Sequence, residues 1–450
     1  MDTRLPSRRG LLGMAALAGA TALTGCSTHG SDGSNGRGKA SPAPSTTDLA
    51  RLDDGPPADP AASARSRADA WRYTHLADTW DGSYKALAVT SRDDVWALGA
   101  RGGLKDGKGP EALFLDHWVG DRWRSHPLPD GLTPKGALCE LAASGPDDVW
   151  LANRPAQGIP SAHHWDGQQW RTLPAPPATT GQISGGGAVY GSWLAAVGPR
   201  LWLCVGGKTL HWDGEHWREP ELPFEATAIT AAPSEDPHGT PRVWVVGTAD
   251  TDCGSGECYP QPASARWAHD GWQRLDTPTY RFPDPVPPEA SASLATVVHD
   301  AERDRLWSLG RNDFNHGEVE EEPESETIVL TGDGDSWTKR RLPRMNRAVA
   351  TATTVPDGTG SVLLDSRNRL TEDGKVRRLD SPGRLPEPPG PPSASPEKHD
   401  FGQPMECAVL CLVPGTRTVL AAGAVRFFPP GTNEQPLRPM LARYDADGDA

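Results

Sequence analysis

Short apolar segments separated by turns recur along the chain, and the second segment of each pair carries a tryptophan. In the first unit, Leu87 to Thr90 is followed by Asp93 to Gly99, which contains Trp96, and Leu141 to Trp150 repeats the pattern. Later second segments surround Trp202, Trp244 and Trp307, or lack the tryptophan at 361–364 and 418–423. Short apolar runs bounded by turn residues predict β-strands.

A second pattern places two tryptophans on either side of an Asp-Gly or Gly-Asp step. The pairs are Trp118 and Trp123, Trp165 and Trp170, Trp212 and Trp217, and Trp267 and Trp272. A degenerate copy of the pattern ends at Trp337. An Asp-Gly step favours a hairpin turn with positive φ, so each pair marks the end of a third strand and the start of a fourth. Repeated four-stranded units predict an all-β fold, a seven-bladed β-propeller.

The seventh unit ends near 441–445 without a fourth strand. Ala70 to Leu76 is similar to the fourth strand that begins at Trp170, so we predict that this N-terminal strand closes the last blade and removes the open sheet edges. The propeller then occupies residues 70–450. The recurring tryptophans are expected to pack between neighbouring blades, because large flat side chains fill the wedge between twisted sheets.

The N-terminus has the pattern of a signal peptide, with Arg8 and Arg9 before an apolar, Ala-rich stretch and then Leu23-Thr24-Gly25-Cys26. It resembles a twin-arginine export signal joined to a bacterial lipobox. The resemblance implies that residues 1–25 are removed and that Cys26 carries a diacylglyceryl group, whose two acyl chains suffice for lasting membrane attachment. The apolar stretch is shorter than the about 20 residues of a spanning helix.

Residues 26–69 are expected to be a lipidated flexible linker, since Ser, Gly, Ala and Pro dominate and little apolar surface is available to bury. A short helix near 58–70 is the alternative. The chain is therefore predicted to be extracytoplasmic and anchored by lipid to the outer face of the cytoplasmic membrane. The net charge of −14 argues against a nucleic-acid surface.

The repeats of residues 70–450 resemble those of secreted bacterial propellers with Trp/Asp-Gly repeats and, more loosely, the Asp-box hairpin of sialidase-like propellers. His164 and His211 stand where the Asp-box has Ser, and no Gly-His signature of WD repeats precedes the tryptophans. Both resemblances therefore concern fold and not chemistry.

Cysteine positions suggest one disulfide. Cys253 and Cys258 bracket a Gly-rich loop in an exported chain and are predicted to pair. Cys407 and Cys411 would be too far apart in an extended strand. Whether either one pairs with Cys139 or Cys204, or all stay reduced, is left open.

No convergent catalytic set, metal site or cofactor motif is found. His117, His164 and His211 occupy equivalent positions in three blades, which displaces them around the ring and disfavours a shared metal ion. Only Trp80 and Trp193 lie outside the repeat positions, and they are the candidates for stacking on a ligand.

Strand alternation places nearly all the long loops on one face, where binding usually resides. We expect a monomeric, non-enzymatic binding or scaffold propeller that recognises a protein or glycan through this face. The alternative is a propeller hydrolase or lyase acting on carbohydrate.

Overall fold

The computed structural model describes residues 70–446, except 103–111, 133, 135–137, 155–158, 178–191, 235–238, 251–258, 269, 283, 285, 287–289, 314–324, 343–352, 386–402 and 429–434. The described residues form 28 β-strands and no α-helix. The strands make seven four-stranded sheets, and every ladder within them is antiparallel. The predicted seven-bladed β-propeller is confirmed. Within the described ranges, no helix has the length and apolar character needed to cross a membrane.

The first four blades each use four consecutive strands, numbered in chain order. Blade 1 contains β2 (Gly82–Ser91), β3 (Asp94–Arg101), β4 (Ala112–Val119) and β5 (Trp123–His126). Blade 2 contains β6 (Leu138–Gly145), β7 (Asp148–Arg154), β8 (Ser161–Trp165) and β9 (Trp170–Thr172). Blade 3 contains β10 (Leu194–Val197), β11 (Arg200–Val205), β12 (Lys208–Trp212) and β13 (Trp217–Arg218). Blade 4 contains β14 (Glu225–Ala232), β15 (Arg242–Asp250), β16 (Pro260–Ala268) and β17 (Gly271–Arg274).

The last three blades complete the ring. Blade 5 contains β18 (Ser291–Asp300), β19 (Arg305–Asp313), β20 (Glu326–Gly332) and β21 (Trp337–Lys339). Blade 6 contains β22 (Val355–Pro356), β23 (Val362–Leu363), β24 (Asn368–Leu370) and β25 (Val376–Arg378). Blade 7 contains β26 (Met405–Leu412), β27 (Thr418–Arg426) and β28 (Leu437–Asp445), with β1 (Arg72–Leu76) as its fourth strand.

The ring closes through the strand at the start of the domain, as predicted. β1 pairs antiparallel with β28, and Arg72 lies opposite Arg443 while Leu76 lies opposite Met440. Trp71 is buried, and its indole Nε1 donates to the Ser366 carbonyl of blade 6 at 2.8 Å. The innermost strands of the seven blades contact one another in a complete circle, including β2 with β26.

The tryptophans that open the fourth strands join neighbouring blades. Three of their indole Nε1 groups donate at 2.8 Å to the preceding blade or the segment that follows it: Trp217 to the Pro174 carbonyl, Trp272 to Thr209 Oγ1, and Trp337 to Ser264 Oγ. The apolar core consists of clusters that extend across blade boundaries. The predicted packing role of these residues is confirmed.

The Asp-Gly turns have the geometry that the sequence predicted. Asp166 Oδ1 accepts the backbone N–H groups of Gln168 and Gln169 at 3.0 and 2.9 Å, and Gly167 has φ 88°. The same arrangement recurs in two further hairpins, at Asp213 and Asp333. The carboxylate satisfies donors that the turn leaves open, and glycine supplies the positive φ.

Four blades share a β-bulge at the equivalent place in the innermost strand, which the repeat pattern did not reveal. The residue displaced from the ladder is Lys85, Thr227, Ala295 or Ala408. Next to each bulge the second strand has a glycine: Gly99, Gly247, Gly310 and Gly423. A Cβ on Gly247 would lie 1.8 Å from the Glu225 carbonyl oxygen, so the strands can approach only because this position has no side chain.

Candidate functional site

The two faces of the propeller differ in their connections. Loops between second and third strands, together with the segments between blades, emerge on one face, which we call the long-loop face. The turns between first and second strands and between third and fourth strands emerge on the other, the compact face. The longest segments, 173–193 and 379–404, belong to the long-loop face, although most of their residues lie outside the described ranges.

The loops differ in two respects from the sequence-based expectation. The sequence pattern predicts the loop between the second and third strands of blade 4 at Thr248 to Ser264, but the flanking strands extend further and leave only 251–259. The compact face also has one long connection, 233–241 between β14 and β15. β15 runs on to Asp250 and β16 begins at Pro260, opposite it, because pairing with a neighbouring strand outweighs local propensity.

Exposed apolar side chains are concentrated on the long-loop face. Among the described residues, the exposed large hydrophobic side chains are Trp80, Leu138, Ile159 and Val286 on the long-loop face and Val119 on the compact face. A single exposed apolar residue is ordinary on a protein surface. Four of these five exposed side chains therefore lie on the long-loop face.

Trp80, one of the two predicted stacking residues, is 39% exposed and lies in the connection from blade 7 to blade 1. Its ring lies 5.4 Å from the Phe427 ring, and the Arg438 guanidinium lies 5.4 Å from its centroid. The next residue, Asp81, has φ 56°, a conformation that costs a non-glycine residue energy. Asp81 is held there because its N–H donates to the Leu437 carbonyl at 2.8 Å.

Arg438 fixes the polar side of this platform. Its Nε donates to the Ala77 carbonyl at 2.7 Å, and its Nη2 lies 3.7 Å from Asp78 Oδ1. Burial lowers the pKa of Arg438, and the negative charge of Asp78 opposes that shift. A guanidinium, a carboxylate and an accessible indole thus occur together in one blade junction, which suits recognition of groups that combine apolar faces with hydrogen-bonding atoms.

A buried hydrogen-bonded chain supports the same junction. His75 Nε2 lies 3.0 Å from Tyr84 Oη, which donates to Asp116 Oδ2 at 2.7 Å. Burial, and secondarily the charge of Arg438, lower the pKa of His75 to about 3, so this imidazole is neutral at physiological pH. Burial also raises the pKa of Asp116. This series of hydrogen bonds links the closing strand β1 to blade 1.

Trp193, the second predicted stacking residue, belongs to a different blade junction and is only 4% exposed. Its backbone N–H donates to Glu140 Oε2 at 2.9 Å, and the Ser192 hydroxyl donates to Glu140 Oε1. The Arg154 guanidinium lies 5.6 Å from the Trp193 ring. Trp80 and Trp193 are therefore not parts of one site, and of the two only Trp80 offers substantial surface to a ligand.

Glu140 is a functional candidate that the sequence analysis missed. It lies at the beginning of β6, where the innermost strand enters from the long-loop face. Burial raises the pKa of Glu140 to about 7, opposed by hydrogen bonds from Ser192 and Trp193 and by the charge of Arg154. An isolated Glu in the otherwise small and apolar segment 138–145 was the available signal.

The equivalent histidines stabilise their own blades. His117 Nε2 pairs with Asp94 Oδ1 at 2.6 Å and stacks on Trp96, and His164 pairs with Asp148 at the same distance. In the described ranges, no group of three or more His, Cys, Asp or Glu side chains is arranged to hold a metal ion.

The described cysteines are free thiols: Cys139, Cys204, Cys407 and Cys411. Burial raises the pKa of Cys139 and of Cys411 to about 11, which disfavours the reactive thiolate. The predicted Cys253–Cys258 disulfide and the lipidated Cys26 lie outside the described residues.

Comparisons with known proteins give distant structural likenesses only. No protein-family model and no curated protein matches the chain. One similar structure is an extracellular domain assigned to a one component system of B. thetaiotaomicron, with 9% identity, a TM-score of 0.43, and coverage of 83% of this chain and 40% of that chain. This chain thus spans well under half of that protein's length.

Two glycoside-acting enzymes are also among the similar structures. A GH74 xyloglucanase from Xanthomonas campestris has 13% identity and a TM-score of 0.43, with coverage of 84% of this chain and 54% of that chain. A Penicillium chrysogenum alpha-L-arabinanase complexed with arabinobiose has 10% identity and a TM-score of 0.36, with coverage of 84% and 98%. Likenesses at this level concern the fold alone.

Proposed function

We propose that this chain is a lipid-anchored extracytoplasmic binding protein whose propeller recognises a protein or glycan partner through the long-loop face, without catalysing a reaction. Cys26 supplies the anchor, and residues 27–69 hold the propeller away from the membrane. The propeller provides a rigid ring on which loops of different lengths are displayed.

The observation that carries this proposal is the unequal distribution of exposed apolar side chains, of which Trp80 is the largest. An indole in contact with Phe427 and Arg438, next to the positive-φ residue Asp81, has few conformations to lose when a partner binds. Tryptophan and arginine are also the side chains that most often dominate binding energy at interfaces.

A matched pair of variants tests the proposal. Trp80 and Val119 are similarly exposed, at 39% and 37%, but lie on opposite faces. Trp80→Ala is expected to weaken capture of the partner from cell-envelope fractions about thirtyfold, the effect of losing a hot-spot side chain. Val119→Ala should bind like the wild type. Equal capture by the two variants, with unchanged melting temperatures, would contradict the proposal.

A carbohydrate hydrolase or lyase is the second candidate, and Glu140 is the observation that favours it. A carboxyl group with a pKa of about 7 has the property required of a general acid at neutral pH. A screen of envelope and plant polysaccharides for cleavage, combined with metal and cofactor analysis of the purified protein, separates the two functions. Cleavage that is lost in Glu140→Gln would replace the binding proposal.

A further inference from the structure

Blades 2 and 7 have the same two charged residues at the long-loop ends of their first two strands. In each blade a glutamate of the first strand lies opposite the residue two before the arginine that ends the second strand. The pairs are Glu140 with Arg154 in blade 2 and Glu406 with Arg426 in blade 7. Cross-strand partners and residues two apart in a strand share one face of a sheet, so each glutamate and its arginine lie on the same side of their blade.

The two pairs are bonded differently. In blade 7, Arg426 Nε donates to Glu406 Oε1 at 2.6 Å, so the guanidinium and the carboxylate satisfy each other. In blade 2, the Glu140 carboxylate accepts the Ser192 hydroxyl and the Trp193 backbone N–H instead, both at the entrance of blade 3. The arginine of blade 2 therefore lacks the partner that its counterpart in blade 7 has.

Arg154 is a buried side chain with an unpaired charge. It is only 9% exposed, and its guanidinium lies 5.6 Å from the centroid of the Trp193 ring. Within the described ranges this guanidinium makes no hydrogen bond and no ion pair, and its nitrogens still reach solvent. Burial lowers the pKa of Arg154, opposed by the charge of Glu140. A largely buried cation without a bonded partner is costly, so this arrangement favours an anion supplied from outside.

The loops that adjoin this position in sequence contain no carboxylate to pair with Arg154. Segments 155–158 and 178–191, which lie outside the described residues, contain neither Asp nor Glu. Two exposed apolar side chains accompany the guanidinium. Leu138 lies opposite Arg154 in the ladder, and Ile159 lies in the connection from β7 to β8. The surface at the end of blade 2 thus combines one unpaired cation with apolar area.

A carboxylate on an apolar group fits this surface. It carries one negative charge, and its two oxygens match the parallel N–H groups of a guanidinium. A phosphate group carries more than one negative charge at neutral pH, which a single guanidinium beside Glu140 does not balance. We propose that Arg154, together with Leu138 and Ile159, binds a carboxylate borne by an apolar peptide segment of a protein partner. This contact rests on the proposed binding function and specifies the chemistry of its partner.

The test uses small probes that separate charge from apolar surface. Saturation-transfer NMR titrations of the full chain in mild detergent would compare N-acetyl-leucine with its neutral amide, with N-acetylglycine, and with two other anions, methyl glucuronide and inorganic phosphate. N-acetyl-leucine should bind saturably and about tenfold more tightly than each of the others, because only it offers both a carboxylate and a buried apolar side chain.

Arg154→Gln should weaken the binding of N-acetyl-leucine about tenfold or more, the usual result of losing a hydrogen bond to a charged group. Arg426→Gln is the matched control, because Arg426 has the equivalent position on the same face but is already paired with Glu406; it should bind the probe like the wild type. Leu138→Ala, at an exposed position, should weaken binding about threefold or more and replaces Arg154→Gln if that variant loses its near-ultraviolet circular dichroism.

Equal or tighter binding of the amide, the glucuronide or phosphate would overturn the proposal. Binding of no probe, unchanged binding by a folded Arg154→Gln or Leu138→Ala variant, or an equal loss in Arg426→Gln would do the same. Partner capture that depends on Trp80 would persist in all these cases, so the failure of this contact is distinguishable from the failure of the proposed function.

Discussion

Replacing Gly247 by alanine tests how the innermost strands are fitted to the second strands. Gly247 lies opposite Ala226, beside the bulge at Thr227. The added Cβ would lie 1.8 Å from the Glu225 carbonyl oxygen, whereas a carbon and a carbonyl oxygen approach to about 3.3 Å. β14 would have to move by roughly the difference, about 1.5 Å, which disrupts the ladder on both sides of the bulge.

The expected cost is about 3 kcal/mol or more in the free energy of unfolding. Overpacking a well-packed position costs about 1–3 kcal/mol, and each weakened backbone hydrogen bond adds about 1 kcal/mol. Urea titration followed by tryptophan fluorescence measures the change. Gly271→Ala is the control, because a Cβ there meets no atom within 4 Å, and its stability should change by less than about 1 kcal/mol. Equal stability of the two variants would refute the packing described for the bulge.

Three further predictions follow from the closure, the buried carboxyl group and the anchor. Deleting residues 27–60 should leave the melting temperature nearly unchanged. Deleting residues 27–78 should destabilise the propeller by at least about 3–5 kcal/mol, because it removes β1 and the buried Trp71. Equal melting temperatures of the two truncated proteins would contradict the closure of the ring by β1. Burial raises the pKa of Glu140 to about 7, above its unfolded value near 4.3. The contribution of the protonated carboxyl group to the free energy of unfolding is therefore complete below about pH 4 and is lost as the pH rises through 7. Urea midpoints between pH 5 and 8 should therefore fall in the wild type relative to Glu140→Gln, and parallel curves would show that the carboxyl is not buried. Cys26→Ala should move the protein from the membrane fraction to the soluble fraction, and retention at the membrane would exclude the lipid anchor.

The architecture was predictable because the repeat places the same residue types at the same structural positions. Tryptophans flanking an Asp-Gly step mark a hairpin turn. In that turn the carboxylate accepts backbone N–H groups, as Asp166 does, and the glycine adopts a positive φ, as Gly167 does. The closing strand was predictable for a related reason: a blade without a fourth strand leaves an edge, and only Ala70 to Leu76 resembled the missing element.

The site residues were less predictable, because their surroundings come from distant parts of the chain. Glu140 accepts hydrogen bonds from Ser192 and Trp193, which belong to the entrance of the next blade, and its burial there raises its pKa. Trp193 lies outside the repeat positions, yet it is buried in an apolar cluster formed by blades 2, 3 and 4.

Photo-crosslinking in the native envelope tests the central claim most directly. Ile159 and Val119 are exposed apolar residues on the long-loop and compact faces, and each can be replaced by a photoreactive phenylalanine analogue in the full chain. The binding proposal predicts a discrete adduct from position 159 that is lost when Trp80→Ala is introduced, and none from position 119. Adducts from position 119 alone, or from both positions equally, would contradict the assignment of partner binding to the long-loop face.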